Sequence, residues 1–125
     1  MPPVRVVLVE DNEVFRDALE LLLGMRDDIQ VVASVADGVA AISAAKEHRP
    51  DVVLMDYRLP ALDGIQATAQ VVAEAPGVSV VARTASADDA ERAALVEAGA
   101  VSCLRKDQEL EEIVAAILRA AAVAG

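Results

Sequence analysis

Two kinds of apolar run alternate along the chain. Short valine-rich runs cover Arg5–Val9, Gln30–Ala36, Asp51–Met55, Val78–Ala82 and Val101–Leu104. They are nearly continuous in apolar character rather than alternating, which predicts parallel strands covered on both faces. Between them lie longer segments whose apolar residues recur every three or four positions, the spacing of a helix face. These predict helices over Glu13–Met25, Val39–Glu47, Ile65–Ala75, Asp88–Ala98 and Glu109–Ala122. In the first, Phe15, Leu19, Leu22 and Leu23 fall near one stripe. Met25 and Met55 read as core residues.

Local signals agree with these boundaries. Ser86, with Asp89 three residues later, has the form of a capping box before the fourth helix. Gly24, Gly77 and Gly99 sit at or near helix ends, where glycine tolerates a left-handed backbone. His48, just before Arg49-Pro50, reads as the end of the second helix. Strand and helix thus alternate five times. Right-handed crossovers between parallel strands then give an α/β fold, a doubly wound five-stranded parallel sheet with helices on both faces.

Composition narrows the setting. A chain of 125 residues reads as a single domain, 55% apolar and 26% charged. The net charge of -10 excludes direct nucleic-acid binding by phosphate neutralisation. One Tyr, one Phe and no Trp leave little for base stacking. The lone Cys103 excludes an internal disulfide framework and reads as a small core residue. No apolar run reaches the ~18 residues of a membrane span, and the first residues lack the pattern of a signal peptide. The expected setting is a reducing cytoplasm, with no membrane contact.

In a doubly wound sheet, ligands bind beyond the carboxyl ends of the strands. Glu10 and Asp11 follow the first strand, Asp56 the third, Thr84 the fourth and Lys106 the fifth. Three carboxylates brought together must take up protons, pair with cations or bind a metal. Oxygen ligands without His or Cys suit Mg²⁺. Lys106 and Thr84 can contact phosphoryl oxygens, and a carboxylate can act as nucleophile to give an acyl phosphate.

The segments Val7-Leu8-Val9-Glu10-Asp11-Asn12, Pro50-Asp51-Val52-Val53-Leu54-Met55-Asp56, Leu59-Pro60 with Asp63-Gly64, Thr84-Ala85 and Leu104-Arg105-Lys106-Asp107 resemble the receiver domain of bacterial response regulators. The match runs from about Arg5 to Ala121 and looks most like receivers joined to LuxR-type helix-turn-helix output domains. The resemblance implies the flavodoxin-like strand order 2-1-3-4-5. It implies that Asp56 accepts a phosphoryl group from a sensor histidine kinase, and that Glu10, Asp11, Asp56 and the backbone carbonyl of Arg58 hold Mg²⁺. Thr84 is then the switch hydroxyl, Lys106 the phosphate partner, and Ala85 the small residue that leaves access. Pro60 and Gly64 shape the loop after the third strand. A homodimer through the alanine-rich last helix and a DNA-binding output domain beyond Gly125 also fit the family. Such a domain is a signalling switch rather than an enzyme.

Three positions depart from the family pattern. Cys103 stands where an aromatic switch partner is usual, Arg83 precedes Thr84 where an apolar residue is common, and Asp107 replaces a proline. Arg83 either pairs with the nearby carboxylates or points outward. Two other readings are kept. One is a degenerate receiver that acts as a phosphorylation-independent interaction module. The other is a small Mg²⁺-dependent phosphohydrolase, although Arg58 stands where such enzymes place a second carboxylate. A dinucleotide site is excluded by the lack of a glycine-rich loop after the first strand.

Overall fold

The computed structural model describes residues 2–85 and 88–124, without the side chains of 123 and 124. The elements run β1 (Val4–Val9), α1 (Glu13–Gly24), β2 (Ile29–Val35), α2 (Gly38–His48), β3 (Val52–Asp56), α3 (Gly64–Glu74), β4 (Ser79–Thr84), α4 (Asp89–Ala98), β5 (Ala100–Arg105) and α5 (Leu110–Ala124). All strand pairs are parallel, in the order β2-β1-β3-β4-β5. No described helix is long and apolar enough to cross a membrane.

Successive strand residues point to opposite faces, and here both faces are covered. Val6, Leu8, Val52, Leu54 and Val81 pack with Leu19 and Leu23 of α1 and Ile113 and Ile117 of α5. Val7, Val9, Val53, Met55, Val80 and Ala82 pack with alanines of α2, with Ala67 and Val71 of α3 and with Leu95 of α4. Two-sided burial explains the unbroken valine runs. The small Ala41, Ala44 and Ala45 bring α2 close to the sheet.

Short polar side chains start the helices. Asn12, Asp37, Asp63 and Asp88 accept hydrogen bonds from the backbone N–H groups of Phe15, Ala40, Gln66 and Ala90. Each satisfies an orphan donor of a first helical turn. Asp88 therefore caps α4, and Ser86 lies outside the described residues. The apolar stripe of the first helix needs correction. Met25 is 74% exposed, and Phe15 and Leu22 are also exposed, so only Leu19 and Leu23 of that stripe are core. Gly77 and Gly99 have positive φ, but Gly24 does not. Arg49 takes the left-handed cap after His48.

Candidate functional site

The register of the sheet assembles the site. Glu10 follows β1, and Asp56 ends β3 on the same face as Leu54. Asp56 lies beside Arg83 across the β3–β4 pair. Glu10, Asp56 and Arg83 are buried, at 3%, 1% and 2% exposure. Glu10, Asp11 and Asp56 each offer a carboxylate oxygen, all within 4.8 Å of one another, and Asp11 is exposed. Lys106, in the turn after β5, places its ammonium 2.7 Å from Oδ1 and 2.8 Å from Oδ2 of Asp56. A cleft of about 460 Å³ is lined by Glu10, Asp11, Arg83 and Lys106, together with Arg58 and Phe15.

Arg83 turns inward. Its guanidinium lies 3.7 Å from Oε1 of Glu10 and 4.7 Å from the centre of the Phe15 ring. Burial pushes its pKa below the usual guanidinium value, while Glu10 and Asp56 push it back up. The Asn12 N–H donates to Oε2 of Glu10 at 3.0 Å. Burial nevertheless raises the Glu10 carboxyl to about 7, and the Asp56 charge adds to the rise.

This shift has a stability consequence. The folded state holds the Glu10 proton more tightly than the unfolded chain. Glu10 therefore costs stability progressively as pH rises from about 4.5 to about 7. Urea unfolding of the metal-free protein and of Glu10→Gln should show the wild type losing ground to the variant across that window. Parallel pH profiles would refute this.

The other predicted residues fall around the same edge. The Thr84 hydroxyl is buried and donates to the carboxylate of Glu91 in the first turn of α4. Ala85 is exposed beside Arg105, Lys106 and Asp107. The Arg58 N–H donates to Oδ1 of Asp56 at 3.4 Å. Cys103 is half-buried in β5, and burial raises its thiol pKa, which favours the inert thiol over a reactive thiolate. Two participants carried no signal of their own in the sequence: Glu91, which the linear pattern does not single out, and Phe15, which reads only as part of the apolar stripe of the first helix.

Fold and site together define an open doubly wound α/β domain whose acidic cluster and lysine converge at the carboxyl edge of the sheet. The chain belongs to the response regulator receiver domain family, which it matches over residues 6–118. It is 38% identical over 114 residues to the transcriptional regulatory protein LiaR of Bacillus subtilis, covering 91% of this chain and 54% of LiaR. The chain thus spans about half the length of the curated relatives it matches. The signal receiver domain of NarL from Mycobacterium tuberculosis superposes with a TM-score of 0.92 at 36% identity, covering 98% of each chain. The receiver domain of the sensor histidine kinase PA1611 from Pseudomonas aeruginosa, with magnesium in its active-site cleft, gives 0.79 at 34% identity over 96% of this chain and 98% of that one. LuxR-family response regulators are also among its structural relatives. The chain is a receiver domain of two-component response regulators, and neither the interaction-module nor the hydrolase reading is favoured.

Proposed function

We propose that Asp56 is the phosphoacceptor of this receiver and that a sensor histidine kinase supplies its phosphoryl group. One observation carries the reading: the Asp56 carboxylate is 1% exposed, paired with Lys106, and clustered with Glu10 and Asp11, which line a cleft. A carboxylate oxygen of Asp56 attacks phosphorus, the N–P bond of the phosphohistidine breaks, and an acyl phosphate forms on the side chain. The Lys106 ammonium then faces the transferred oxygens.

The donor set fits Mg²⁺, since the three clustered carboxylates offer oxygen ligands and outnumber the two side-chain cations beside them, Lys106 and Arg83. Glu10, Asp11, Asp56 and the backbone carbonyl of Arg58 would hold it. When bound, it supplies positive charge to the carboxylates and phosphoryl oxygens. Ala85 leaves the approach to Asp56 open.

The Thr84 hydroxyl is the switch. Turning it toward a phosphoryl oxygen takes it from Glu91, and this releases the first turn of α4. That route does not need an aromatic side chain at Cys103. The domain works in the cytoplasm as a switch rather than as an enzyme on other substrates. Its partners are the kinase, a second copy of the chain, and a DNA-binding output domain in the longer protein.

The test is intact mass after incubation with Mg²⁺ and acetyl phosphate, followed by peptide mapping. One phosphoryl group on the Asp56 peptide, labile to alkali and to hydroxylamine, is expected. No gain, or a gain elsewhere, would refute the assignment.

A further inference from the structure

Arg83 is the feature of the cleft that this mechanism does not use. Burying a guanidinium is costly unless its partners are close and well aligned. Here its ion pair with Glu10 spans 3.7 Å, and its Nε is buried with no hydrogen-bond partner among the described residues. Stability alone gives a weak account of that arrangement, and the position in the cleft gives a better one.

We propose that Arg83 is a resident counter-ion of the acidic cleft that lowers its affinity for Mg²⁺. The inference rests on the metal-site reading above. Glu10, Asp11 and Asp56 face two cations, Lys106 and Arg83, so the cluster carries a single formal negative charge. A neutral side chain at 83 would double it and strengthen the pull on a divalent ion.

The two cations differ in freedom. The Lys106 side chain is 31% exposed and ends a flexible stem, so it can swing toward solvent when an ion arrives. Arg83 has no such exit. Its side chain is 3% exposed, the Phe15 ring covers the guanidinium, and a guanidinium stays protonated. Its charge therefore opposes the metal ion throughout, and it competes directly for Oε1 of Glu10.

Calorimetric titration with MgCl₂ tests this. Arg83→Met and Arg83→Gln should bind Mg²⁺ about tenfold more tightly than the wild type. Arg83→Lys keeps the charge and should stay within about threefold of the wild type. Neutral variants with native circular dichroism and wild-type or weaker affinity would overturn the proposal. If neither neutral variant folds, NMR of the wild type decides. The Arg83 side-chain N–H signal should then shift with the same Mg²⁺ midpoint as the Asp11 amide, and a stationary signal overturns the proposal. Asp11→Asn separates the two readings. If its isotherm matched the wild type, the metal site itself would be misplaced and both would fall.

Discussion

Asp56→Ala should abolish the gain of a phosphoryl group while leaving the fold intact. The chemical part follows from the geometry of the cleft. Asp56 is the carboxylate in contact with Lys106, a partly exposed cation on a flexible stem that is placed to receive the transferred oxygens. Glu10 is held at about 7 by burial, lies against Arg83 and accepts from the Asn12 N–H, which makes it a poor nucleophile. Asp11 is exposed and lacks a cation at comparable distance among the described contacts. The structural part follows from exposure. Removing one partner of a buried pair is costly when the other charge stays buried, but the partly exposed Lys106 ammonium can turn to water. Asp56→Asn adds a second readout. The Asp56 charge helps to raise Glu10, so the Glu10 carboxyl should titrate lower in that variant. Intact mass with acetyl phosphate and Mg²⁺, and carboxyl-selective NMR titration, check the two effects. A variant that still gained one phosphoryl group would remove Asp56 from its assigned role.

The legible parts of the molecule were those where one residue type has one local outcome. Valine runs buried on both faces gave the strands, and the register of those strands forced Glu10, Asp56, Thr84 and Lys106 onto one edge. The direction of Arg83 was undecided in the linear pattern, because an arginine is ordinarily solvated. Only pairing settles it: Arg83 lies beside Asp56 in register, and β4 residues two apart share a face, so it joins Val81 on the α1 side. The α1 pattern misled because five apolar residues in its last turns exceed what one sheet face can cover. Leu19 and Leu23 fill that space, which leaves Leu21, Leu22 and Met25 outside. The Thr84–Glu91 contact joins two elements across the loop after β4 and has no sequence periodicity to announce it. The cap of α4 was misread because Ser86 and Asp88 are both good caps, and composition cannot choose between them.

Glycines around the loop after β3 should prove the most damaging positions outside the acidic cluster. A Cβ on Gly64 would sit 2.7 Å from Cα of Tyr57 and 2.8 Å from the carbonyl oxygen of Asp56. A Cβ on Gly38 would collide with the carbonyl oxygen of Leu62. These are backbone atoms, so no side chain can turn aside, and the loop itself must move. Gly64 also donates its N–H to the Tyr57 carbonyl at 2.8 Å, which ties the start of α3 to the residue after Asp56. The displaced segment carries Arg58, whose N–H donates to Asp56 and whose carbonyl is the fourth proposed metal ligand. Gly64→Val and Gly38→Val should therefore each lose about 1–3 kcal/mol, the usual cost of overpacking, and several degrees in Tm. Both should also bind Mg²⁺ more weakly and accept phosphoryl groups more slowly. Gly24→Ala is the control. Its Cβ would meet nothing within 4 Å at the end of α1, so it should gain up to ~1 kcal/mol and leave Mg²⁺ binding unchanged. Thermal unfolding and Mg²⁺ titration of the three variants decide the matter. If Gly64→Val kept wild-type Tm and wild-type Mg²⁺ affinity, close packing of this loop would not be what positions the site.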